Sequence, residues 1–183
     1  AKFDLPAAER EAAAIAGQLP GAALYTRDAA TRERLIAEAP GRRIVHVAAH
    51  ALVDPLDPLA SPLYLAGDGT AAAMTARDFY RVDLRATRLI TLSACETGLG
   101  QVGRGNEFWG FQRTMLAAGA RGLLVSLWPV EDEATAALMT RFYALAATRP
   151  LLAALRESQP ELLRRYRDQP VLWAGFVLVG DWR

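Results

Sequence analysis

The chain holds one cysteine, Cys95, and two histidines, His46 and His50. A thiol attacks a carbonyl carbon as thiolate and needs a neighbouring base to remove its proton. A lone cysteine rules out an internal disulfide framework and a thiolate-rich metal site, so few thiol–imidazole pairs can be assembled here. His50 follows RIVHVAA (43–49), and Cys95 follows RLITL (88–92) and Ser93-Ala94. Both are short apolar runs of the kind that form buried strands, at 44–48 and 89–92. In an open α/β sheet, ligands bind beyond the carboxyl ends of the strands. If the two strands are neighbours, about 4.8 Å apart, His50 and Cys95 meet across their tips. The residues alone also allow a blander arrangement, with Cys95 a small buried hydrophobe and His50 a loop residue.

His46 lies four residues before His50. On a helix that spacing would suit a shared metal, but in a strand it spans roughly 13 Å, too far for one zinc. His46 therefore reads as a structural histidine, hydrogen-bonded beneath the sheet. No metal or cofactor is expected. GLGQVG (98–103) spells a GxGxxG pattern. A dinucleotide fingerprint would follow its strand directly and open a helix, with an acid ending the next strand. Here Cys95-Glu96-Thr97 intervenes and the strand at 123–127 carries no acid. A nucleotide-binding α/β domain is the weaker alternative, and the glycine-dense stretch 98–105 reads as a loop beside a cleft, in the manner of a mobile lid. Glu131-Asp132-Glu133 follows the run at 123–127. Acids there can cap a helix, line a pocket, or do both.

Helices are expected at 6–18 (with its charges on one side), 30–37 with Thr31 as N-cap, 75–82, 107–118, 133–147 and 151–167. Strands are expected at 22–25, 43–49, 63–65, 88–92, 123–127 and 176–179. Continuous apolar strands alternating with helices predict a mainly parallel sheet covered on both faces. A length of 183 residues fits one domain spanning 1–183. No apolar run nears the ~20 residues of a membrane span, and no secretion signal opens the chain. A soluble, cytoplasmic protein without membrane contact is expected. The net charge of +1 and the scattered arginines give no polyanion groove, so no nucleic-acid partner is expected. The first residue is Ala rather than Met, which reads as a fragment of a longer protein.

Four segments together resemble the CHAT domain, a caspase-like domain found behind tetratricopeptide repeats in bacterial proteins. They are HVAAHA (46–51), LITLSACETGLG (89–100), AAGARGLLVSLWPVEDEAT (117–135) and WAGFVLVGDW (173–182). The resemblance implies a caspase-like α/β three-layer sandwich and a cysteine endopeptidase related to caspases and separases. It makes His50 the base and Cys95 the nucleophile, in keeping with the caspase pattern of a His about 50 residues before the Cys. The backbone N–H groups of Ala51 and Cys95 then form the oxyanion hole. Relatives usually carry His-Gly where this chain has His50-Ala51, which would strain Ala51 if its φ were positive. Asp132 matches an acidic separase position in an LW-x-V-x-D pattern, implying a basic residue before the cut, with Glu131 and Glu133 in support. The implied partners are a protein substrate and a regulatory region preceding the domain, such as tetratricopeptide repeats. A catalytically silent interaction module of the same fold is the alternative.

Overall fold

The computed structural model describes residues 6–96, 109–128 and 130–183, with residues 6, 70, 71, 94–96 and 109 given by their backbone alone. Three parallel strands form its centre: β1 (Ile44–Ala51), β4 (Leu89–Glu96) and β5 (Gly122–Ser126). All five residues of β5 are buried, as expected of a strand covered on both faces. Antiparallel strands flank this centre. β2 (Pro62–Tyr64) and β3 (Ala73–Thr75) extend it beyond β1, and β6 (Phe176–Gly180) pairs with β5, giving the order β3-β2-β1-β4-β5-β6. The sheet is thus mixed and parallel in its centre, with helices around it, in a caspase-like α/β arrangement.

Alternation along β1 divides the core. Val45, Val47, Ala49 and Ala51 face one cluster with Leu63, Phe79, Phe111 and Met115, beneath α3 (Trp109–Ala117). α2 (Arg32–Glu38) packs Leu35 and Ile36 against the same cluster. Across the sheet lie α1 (Pro6–Ala16), α4 (Asp132–Ala146) and α5 (Leu151–Arg165), whose cluster includes Ile15, Leu138, Phe142 and Leu155.

Several expectations need correction. Residues 22–25 pair with no strand and run as irregular chain. The helix expected at 75–82 is a 3-10 turn over Ala76–Arg81, preceded by the unforeseen strand β3. There the Asp78 carboxylate accepts from the Thr75 N–H and hydroxyl, closing the turn early. β1 and β4 also run further than their apolar runs suggested, because each continues to pair with the other up to Ala51 and Glu96. Thr31 caps α2 as expected, accepting from the Arg34 N–H at 3.1 Å. The stretch 98–105 lies outside the described residues.

Candidate active site

Register decides what meets at the carboxyl end of the sheet. β1 and β4 pair in parallel, with His46 beside Thr91, Ala48 beside Ser93 and His50 beside Cys95. Neither His50 nor Cys95 lies beyond its strand; both occupy the last turn of the ladder. Side chains alternate along a strand, so His46, Ala48 and His50 share the face that α1 and α4 cover. The register sets the Cys95 backbone beside His50.

Two levels below, a buried polar chain fills the same face. Tyr143 of α4 places its hydroxyl 2.6 Å from Thr91 Oγ1 and 3.2 Å from His46 Nδ1. Burial above all, and the nearby Glu11 charge, push that hydroxyl far above the ordinary phenol range, so it stays a neutral donor. On the ring's other side, His46 Nε2 lies 2.8 Å from Glu11 Oε1 of α1. The distance is that of an ion pair, but the ring N–H and the oxygen are not aligned as a hydrogen bond. The contact is a close polar approach without hydrogen-bond geometry. The expected structural role of His46 is what the geometry gives.

Between this chain and the His50–Cys95 pair the sheet carries only Ala48 and Ser93. Their small side chains leave a cleft, walled by Ala7 and Ala8 of α1 and by Asp132 and Thr135 of α4, that also reaches Glu11. It is narrow, with room for about one water molecule.

The three neighbouring acids separate in space. Asp132 lines the cleft. Glu131 is the N-cap of α4, its carboxylate accepting from the Ala134 N–H at 2.6 Å. Glu133 points away, 3.8 Å from the Arg165 guanidinium and largely exposed. Ala51 is buried in the opposite core, and among the described residues Arg27 is the one non-glycine with positive φ. Ala51 therefore carries no left-handed strain, and its methyl group fills space that glycine would leave empty.

Sequence reasoning passed over Glu11. Its signal was present: Ala7, Glu11 and Ile15, spaced four apart, form the buried stripe of α1. The helix does not keep all its charges on one side, because a carboxylate stands inside its apolar face.

A model of the CHAT domain family matches residues 2–181. Tetratricopeptide repeat protein 28 of Mus musculus is 33% identical over 114 residues, covering 59% of this chain. The chain spans 4% of the length of that curated relative. No described helix is long and apolar enough to cross a membrane.

Proposed function

The chain belongs to the CHAT domain family, and from that premise we propose that it is a cysteine endopeptidase working through His50 and Cys95. The observation that carries this is the register, which pairs His50 with Cys95 at the carboxyl end of two adjacent parallel strands. His50 takes the thiol proton, and the thiolate attacks the scissile carbonyl carbon. The Cys95 and Ala51 N–H groups hold the oxyanion. The C–N bond then breaks, the amine leaves with the proton from His50, and water hydrolyses the thioester.

The cleft beside the pair accepts the side chain before the cut, and Asp132 at its wall favours a basic one. We place Glu131 and Glu133 outside this contact, as a cap and a surface acid. Since α1 forms one wall of the narrow cleft, a region preceding α1 can control access by shifting that helix. The name of the mouse relative supports tetratricopeptide repeats as this region. A bacterial cytoplasmic setting completes the proposal.

The test is labelling of Cys95 by peptidyl electrophiles, followed by peptide cleavage, in the chain and in Cys95→Ala and His50→Ala variants. Labelling should vanish with Cys95 and slow sharply without His50. A protein that resists every electrophile and cuts no peptide would instead be a silent interaction module of this fold.

A further inference from the structure

Glu11 is 3% exposed, yet among the described residues its one ion-pair contact is His46. Buried carboxylates are ordinarily matched by a cation, because an isolated charge is costly to desolvate. The His46 ring meets the Tyr143 hydroxyl at Nδ1, and its Nε2, though 2.8 Å from Glu11 Oε1, makes no aligned hydrogen bond to it. Thr91, Tyr143 and His46 thus form a polar chain ending on a carboxylate whose Oε1 has no aligned hydrogen bond.

We infer that Glu11 is the principal counter-charge for a basic substrate side chain, an inference that rests on the peptidase reading above. The ladder supplies the geometry. His50 and Cys95 stand two residues above Ala48 and Ser93, about 6.6 Å along the strands. An extended arginine or lysine side chain entering beside the pair covers that distance and brings its cation to the Ala48–Ser93 level, into the cleft that Glu11 also lines. Ala7, Ala8 and Ala48 keep the path free of bulk, and Asp132 meets the same cation from α4. Entry requires the narrow cleft to widen, and α1 is the wall that carries both the small residues and the charge.

The test compares alkylation of Cys95 by acetyl-arginine and acetyl-citrulline chloromethyl ketones, read by intact-protein mass. The two probes are close in shape and differ in charge, and in both the thiolate displaces chloride. The arginine probe should label the wild-type chain about a hundredfold faster, and Glu11→Gln should bring the two rates within about threefold. The citrulline rate and the Tm should hold in that variant. If Glu11→Gln lowers both rates and the Tm together while the ratio stays intact, Glu11 only anchors α1 and the inference is wrong. Equal labelling by the two probes in the wild type overturns the inference but leaves the catalytic pair standing. Labelling by neither removes the peptidase reading, and this inference with it. Should Glu11→Gln fail to fold, Glu11→Asp keeps the charge and withdraws it by one methylene. It should lower the ratio part of the way, and an unchanged ratio would again reject the inference.

Discussion

His46 and His50 lie on one face of one strand, four residues apart, yet their surroundings differ completely. His46 sits in a closed polar chain between Glu11 and Tyr143, while His50 is paired in register with Cys95 at the end of the ladder. Strand alternation gives them a common face, and depth along the strand gives them separate work.

Removing His46 exposes the dependence of Glu11 on its neighbour. His46→Leu removes the ion-pair contact of the buried Glu11 carboxylate, which should destabilise by about 3 kcal/mol. Tyr143→Phe removes one hydroxyl shared by Thr91 and His46 and should cost about 1–2 kcal/mol. Urea unfolding of the two variants should reproduce that order. Equal losses would mean that the Glu11–His46 contact adds nothing to stability.

Acids at the end of β5 allow a second separation. Glu131→Ala should lower stability by about 1 kcal/mol through loss of the α4 cap. Asp132→Ala should leave the Tm nearly unchanged while kcat/KM for substrates with Arg or Lys before the cut falls by about tenfold or more. Thermal melts and peptide kinetics on both variants check this. Similar melting losses would make Asp132 a second cap.

The sheet centre and the His50–Cys95 pairing were legible because both rest on local signals, β-branched runs and the residues ending them. What escaped depended on partners distant in sequence. β3 is too short to announce itself and exists because Met74 pairs with Leu63 in β2. The separate fates of Glu131, Asp132 and Glu133 depend on how α4 starts and on α5 supplying Arg165. Glu11 is far from β1 in sequence, so its meeting with His46 could not be read from spacing, although its place in the Ala7–Ile15 stripe marked it as unusual.

Acid should loosen the loop that follows β1. The backbone N–H groups of Asp57 and Leu56 hold the Asp54 carboxyl below the ordinary aspartate range. A depressed folded pKa adds stability above the unfolded value of about 3.9, and that stability is lost as pH falls through the folded pKa. Amide shifts of Leu56 and Asp57 should therefore titrate together with a midpoint below that of an ordinary aspartate. A midpoint at the ordinary value would show that the turn does not persist in solution.

Two glycines test whether packing or backbone freedom governs α1 and α3, on opposite faces of the sheet. Alanine has the higher helix propensity by about 1 kcal/mol, which by itself would favour both replacements. At Gly17, just after α1, an added Cβ would lie 3.5 Å from the Ala13 carbonyl oxygen, an ordinary contact. Gly17→Ala should be neutral or stabilising by up to about 1 kcal/mol. At Gly110 the same atom would fall 1.8 Å from the Pro58 carbonyl oxygen and 3.3 Å from the Ala76 methyl. Pro58 belongs to the loop leading from β1 to β2, so α3 reaches that loop only because residue 110 has no side chain. Gly110→Ala must push the helix and loop apart, at a cost of about 3 kcal/mol that outweighs the propensity gain. Denaturation midpoints should move in opposite directions for the two variants. If Gly110→Ala is as stable as the parent, α3 and the Pro58 loop are not in close contact in solution.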